Sequence, residues 1–116
     1  MAEDAEWKIN QYTGLVSRRS AAEKLDSIVV PAEVDGMAVR GIEYMAFNMH
    51  KNFKQLTIAD NAVMLDSRVL RDLLKLEVLD LPENLLIIRE GNFTNLPKLT
   101  SVVIPDSVTK LGIGAF

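Results

Sequence analysis

The apolar positions of this chain fall into columns. Leu99, Val102, Ile104, Val108, Leu111 and Phe116 each have an apolar residue 23 positions earlier, at Leu76, Leu79, Leu81, Leu85, Ile88 and Phe93. A second step of the same length reaches Phe53, Leu56, Ile58, Ala62, Leu65 and Leu70. A fixed period in the twenties is the signature of a solenoid, in which each repeat buries its apolar side only against its neighbours. Val39, Ile42 and Phe47 continue three of the columns at the same spacing, but Leu25, Ile28 and Val30 precede Phe53, Leu56 and Ile58 by 28. The first unit therefore holds about five extra residues, and they belong at 33–37, where Asp35-Gly36 marks a tight turn. The chain divides into units at about 27–52, 53–75, 76–98 and a shortened 99–116, after an N-terminal segment over 1–26.

Within a unit, Leu-x-x-Val-x-Ile-Pro puts three apolar side chains on one side with exposed positions between them. This predicts a short strand of a parallel sheet, one strand per turn. Pro82 and Pro105 end their strands, because proline has no N–H for the ladder. A second extended piece follows (residues 107–111), then a glycine-rich bend, then Gly-Ala-Phe entering a short helical or 3-10 turn whose Phe plugs the interior. Truncating such a plug, Phe93 for example, is expected to cost about 3–5 kcal/mol. Ahead of the repeats, residues 1–6 read as a frayed end. Residues 7–16 alternate loosely through Trp7, Ile9, Tyr12 and Leu15, with a turn at Tyr12-Thr13-Gly14. Residues 17–20 are a polar, basic stretch and 21–25 read as a loop.

The stretch Val102-Val-Ile-Pro-Asp-Ser-Val-Thr-Lys-Leu-Gly-Ile-Gly-Ala-Phe116 resembles the repeat of the BspA-like (Treponema-type) leucine-rich repeat family. Residues 30–47, Val-Pro-Ala-Glu-Val-Asp-Gly-Met-Ala-Val-Arg-Gly-Ile-Glu-Tyr-Met-Ala-Phe, resemble its first-unit variant. The likeness covers about 27–116, and 7–16 is similar to the strand that caps such arrays. The resemblance implies an α/β, right-handed leucine-rich-repeat solenoid, with short parallel strands on the concave face, short helical or 3-10 turns opposite, and an N-terminal cap. It departs from the pattern in the middle: Ala59 replaces the expected Pro, and Arg68-Val-Leu70 replaces Gly-Ala-Phe. Asn92 stands in the column of Ala46 and Ala115, which is normally small and buried. These departures predict a local distortion in unit two. The chain also stops at the plug Phe116, before any turn that would cover it. A solenoid needs a polar terminal cap, so the expectation is a piece of a longer array, or an end covered by another copy through self-association.

Composition narrows the function. Hydrophobic residues make up 48% and charged residues 25%, ordinary globular usage that argues against disorder. A net charge of −3 without a basic stripe is a poor match to nucleic acid, where Lys and Arg must neutralise phosphates. The absence of cysteine removes disulfide frameworks and thiolate metal sites. No apolar run approaches the roughly 20 residues that span a bilayer, so membrane insertion is not expected. The acidic start is unlike a signal peptide; the localisation expected is cytoplasmic, or the cell surface or outside if the parent carries a signal that has been removed.

Family members are commonly bacterial or protist surface proteins that attach to host, matrix or microbial surface proteins. The resemblance thus implies a non-catalytic protein–protein interaction scaffold without a cofactor. A structural spacer or oligomerisation module of a longer protein is the alternative. The expected contact surface is the concave sheet, whose outward positions form columns: Ser27, Gln55, Val78 and Ser101 in one, Val29, Thr57, Asp80 and Val103 in the next, with Glu77 in the flanking column. Repeated exposed side chains on a rigid sheet are where solenoids usually place partner contacts. Val29, Val78 and Val103 are apolar where solubility alone favours polar residues; β-propensity is the simpler reading, a binding patch the other.

Other residues offer less. His50 shares a column with Leu73 and Leu96 and reads as a partly buried structural imidazole. With a single histidine and no cysteine, neither zinc nor a Ser-His-Asp arrangement can be argued. Glu83, Glu90 and Asp106 read as solvated bend residues rather than paired catalytic carboxylates. Gly112-Ile-Gly114 is a repeat bend that lacks the Lys-Ser/Thr of a phosphate loop. Asn92-Phe-Thr94 matches a glycosylation sequon, but beside a core plug a modified Asn92 is awkward. Trp7, the sole tryptophan, reads as part of the cap.

Overall fold

Each of the first three repeat units lays down one strand in each of two separate ladders, and the fourth adds a strand to only one of them. The structure is a computed structural model that describes residues 7–18, 25–47, 51–112 and 114. The frayed end at 1–6, most of the loop at 21–25, His50, and the Ala115-Phe116 plug lie outside the described residues.

The first ladder is a three-stranded parallel sheet of β3 (Ser27–Val30), β7 (Gln55–Ile58) and β9 (Val78–Asp80). Its register aligns Ser27 with Gln55 and Val78, and Val29 with Thr57 and Asp80. The five extra residues of unit one do not disturb it, because they fold out as a hairpin of β4 (Glu33–Val34) and β5 (Met37–Ala38). Asp35 and Gly36 sit at φ of 52° and 80°, both left-handed, as a two-residue type I′ turn requires.

The second ladder is longer. β2 (Leu15–Arg18), β6 (Gly41–Ile42), β8 (Met64–Leu65), β10 (Ile87–Ile88) and β11 (Lys110–Leu111) pair in parallel, and β1 (Trp7–Ile9) closes one end antiparallel to β2. Here the sequence expectation needs correction. Ser17 and Arg18 are not part of a polar connecting stretch; they are strand residues, 8% and 5% exposed. The reason is tertiary: Arg18 pairs with Trp7 across the hairpin and its guanidinium carbon lies 5.0 Å from the centre of the indole ring. The hairpin turn itself is an Asx type, with the Asn10 side chain accepting from the N–H groups of Tyr12 and Thr13 and Gly14 at φ 74°.

Between the two ladders runs the core. Phe53, Leu56, Ile58, Ala62, Leu65 and Leu70, the whole apolar skeleton of unit two, are at most 3% exposed. At the hairpin end Trp7, Phe47 and Phe53 stack edge to face, with ring centres 6.2 and 5.1 Å apart. Burial weakens toward the other end: Leu79, Leu81 and Phe93 are only partly covered, and Leu111 is 52% exposed. Phe93 is thus a weaker plug than its column suggests. The chain bends expected to be helical are hydrogen-bonded turns instead, and the described residues contain no helix. Nor do residues 101–104, expected as the fourth strand of the first sheet, pair with β9.

Unit two is not distorted. Ala62 N–H donates to Ala59 C=O just as Leu85 and Val108 donate to Pro82 and Pro105, so the turn forms without proline. Arg68 takes φ 57° in the column where Met45, Gly91 and Gly114 take 53°, 74° and 72°. The left-handed residue is a property of the coil, and glycine is merely its least strained occupant.

Candidate interaction surface

The alternation of the first sheet divides its side chains between two faces. Ile28, Val30, Leu56 and Ile58 point into the core, and Ser27, Val29, Gln55, Thr57, Val78 and Asp80 point out. The hydrogen bonds hold this outer array in two straight columns. Val29 and Val78 are 58% and 46% exposed, while Gln55 and Thr57 are half-buried between their neighbours. Glu77, just before β9, is exposed. Ser101 and Val103 are exposed as well, Val103 to 83%, but they lie across a gap from Val78 and Asp80 rather than bonded beside them. That gap is a cleft of about 530 Å³. Six of the eight expected surface residues therefore share one edge of the molecule in or beside a ladder, and two stand on the far wall of a cleft.

What keeps these coils in register was missed in the sequence. At 23-residue intervals, Asn61, Asn84 and Ser107 donate side-chain hydrogen bonds back to carbonyls of the preceding coil: Asn61 to Ala32 and Val39, Asn84 to Asp60, Ser107 to Glu83 and Leu85. Their spacing equals the apolar period, but three polar residues on bends read as ordinary turn chemistry. Asn92 makes the most buried such link. Its Oδ1 accepts from Leu70 N–H at 2.8 Å, and its Nδ2 donates to Asp66 C=O at 2.8 Å and Arg89 C=O at 3.0 Å. The amide is 0% exposed and uses every polar atom to join units two and three. This replaces the expected conflict at the small column, and it leaves the sequon asparagine without access for a glycan.

The remaining polar residues do not converge. Glu83, Glu90 and Asp106 lie exposed on separate bends, and among the described residues no group of three or more His, Cys, Asp or Glu gathers as a metal site. Among the described residues, the ion pairs of Arg71 with Asp72 and Arg89 with Asp66, at 3.7 and 3.8 Å, are exposed or half-exposed. No helix among the described residues is long and apolar enough to cross a membrane.

Parallel strands repeating every 23 residues over a one-turn core define a β-solenoid of leucine-rich-repeat type, a fold consistent with a protein-interaction scaffold. Residues 20–116 match the BspA type Leucine rich repeat region (6 copies), and the chain belongs to that family. A leucine-rich repeat protein of T. pallidum, known from a crystal structure, has a similar fold, with a TM-score of 0.73 at 18% identity. The superposition covers 94% of this chain and 62% of that one, so this chain spans less than two thirds of its neighbour's length. No curated protein matches the sequence.

Proposed function

We propose that the chain is a non-catalytic protein–protein interaction module of a bacterial cell-surface or secreted protein, in which residues 27–116 present a binding array and 1–26 serve as its cap. Its partner is another protein on a host cell, in the matrix or on a microbial surface. The observation that carries this reading is the outer face of the first sheet. Side chains held in register by backbone hydrogen bonds lose little entropy when a partner settles on them. Val29 and Val78 supply apolar area on a face that solubility would fill with polar groups.

The test is binding of the chain to a panel of purified matrix, host-surface and microbial-surface proteins, with Val29→Lys plus Thr57→Lys as the control. Binding that the double variant loses while its melting curve stays put supports the reading; no binding to any member overturns it. A spacer or oligomerisation role is favoured by one different observation, the 52% exposure of Leu111 at the end of the core. Light scattering over a range of concentrations separates the two, since self-association makes the apparent mass rise with concentration.

A further inference from the structure

Among the described residues, strand β9 has a bonded neighbour on one side only. Lys54 C=O accepts from Glu77 N–H at 2.7 Å and Val78 N–H at 3.1 Å, repeating the pair that Asp26 C=O takes from Lys54 and Gln55 at 2.7 and 3.1 Å. One period further on, the matching acceptor is Glu77 C=O and the matching donors are Thr100 and Ser101. Among the described residues that pair is not made. On the other ladder the same two coils are fully joined: Thr109 and Lys110 donate to Leu86 C=O, and Gly112 donates to Ile88 C=O. Unit four is therefore fastened to unit three along one side and open along the other.

The opening is the 530 Å³ cleft. Val78 and Leu81 line one wall and Val103 the other, and Glu77, Asp80 and Glu83 stand around them. Among the described residues, no lysine or arginine lines it. An unpaired strand edge seeks another strand, aliphatic walls seek aliphatic side chains, and three carboxylates with no cation among them seek positive charge. A second copy of this chain fits poorly, because its own matching segment, Ser101-Val-Val-Ile104, carries no basic residue and each copy bears a net charge of −3.

We propose that this cleft takes an extended segment of another protein, with lysine or arginine alternating with aliphatic residues, which adds as a strand to the open edge of β9. The proposal rests on the reading of the chain as an interaction module and names the site and the kind of segment it takes. Alternation follows from strand geometry, since successive side chains point to opposite faces. The inward set packs on Leu79 and Leu81, and the outward set lies beside Val78 and Asp80, with Glu77 and Glu83 at the two ends of the strand.

The experiment titrates the 116-residue chain with the peptide acetyl-Lys-Val-Lys-Val-Lys-Val-amide by calorimetry at low ionic strength. Two control peptides carry glutamate for lysine, or N-methylated valines that cannot complete a ladder. The lysine peptide is expected to bind about tenfold or more tightly than either control, and Glu77→Lys plus Asp80→Lys to weaken it by a similar factor. Both residues are exposed, so the variant keeps its urea midpoint. Hydrogen exchange at the Leu79 amide, which faces the open edge, slows when the peptide is bound. Equal binding of the three peptides, or none, overturns the proposal. So does protection of the Val103 amide in the free chain, which would mean that residues 101–104 close onto β9 themselves. If Val29→Lys plus Thr57→Lys abolishes peptide binding and the cleft variant does not, the outer face is the site; the cleft then fails while the interaction reading stands.

Discussion

Replacing Asn92 tests the inter-coil linkage at its most buried point. In Asn92→Ala, Leu70 N–H loses its acceptor and the carbonyls of Asp66 and Arg89 each lose a donor, in a place 0% exposed to water. A hydrogen bond contributes roughly 0.5–1.5 kcal/mol net, and an orphaned buried N–H costs about 1–3 kcal/mol. The carbonyls lose less, because an unpaired buried C=O is better tolerated than an orphaned N–H. The sum is about 3 kcal/mol. With a urea m-value of about 1.5 kcal/mol/M, that lowers the midpoint by about 2 M. The melting temperature falls by roughly 12 °C for a domain of this size. Trp7, the one tryptophan and 1% exposed, gives the fluorescence signal for unfolding. Asn92→Asp separates hydrogen bonding from volume. The isosteric carboxylate still accepts from Leu70 N–H but turns an oxygen toward two carbonyl oxygens, so it is destabilised more than alanine at neutral pH. That repulsion raises the variant carboxyl's folded pKa above its unfolded value of about 3.9. Its stability therefore recovers as pH falls through the folded value and is lost again as pH rises through it. A midpoint shift under about 0.3 M for Asn92→Ala, or an aspartate no worse than the alanine, would refute the linkage.

Two further outcomes follow from the core and the coil. Phe53→Ala, at 0% exposure and edge to face with Phe47, is expected to cost about 3–5 kcal/mol. Phe93→Ala, only partly buried, should cost about half that in the same urea titration; equal losses would contradict the burial gradient. At φ 74°, a Cβ on Gly91 lies 2.8 Å from Arg68 Cγ, whereas at Gly36, φ 80°, it meets nothing within 4 Å. Gly36→Ala then shows backbone strain alone, about 1–2 kcal/mol. Gly91→Ala costs more, and the excess disappears in an Arg68→Ala background; an excess that persists there refutes the contact.

The face expected to bind was legible in outline. Its columns follow from the period and from the two-residue alternation, which is why Ser27, Gln55 and Val78 align as the sequence suggests. Ser101 and Val103 carry the same pattern, yet stand apart from the ladder. A repeat motif specifies what a segment is able to pair with, and pairing also needs the neighbour to be within reach. Ala59 and Arg68-Val-Leu70 illustrate the converse. They break the motif while keeping its coil, because Ala59 makes the turn that proline makes and Leu70 fills the space of a phenylalanine at 0% exposure.

By itself, the sequence determined the repeat length, the sides of each strand, the place of the five-residue insertion and the family. These depend on local periodicity and turn chemistry, which a single chain displays in full. Tertiary structure alone decided three other things: that Asn92 is an inter-coil clasp, that Arg18 is a buried strand residue over Trp7, and that units three and four separate along one edge. Each depends on which backbone groups a neighbouring coil leaves to be satisfied. That is set by atoms roughly one repeat distant, or across a hairpin, and the identity of the residue does not record it.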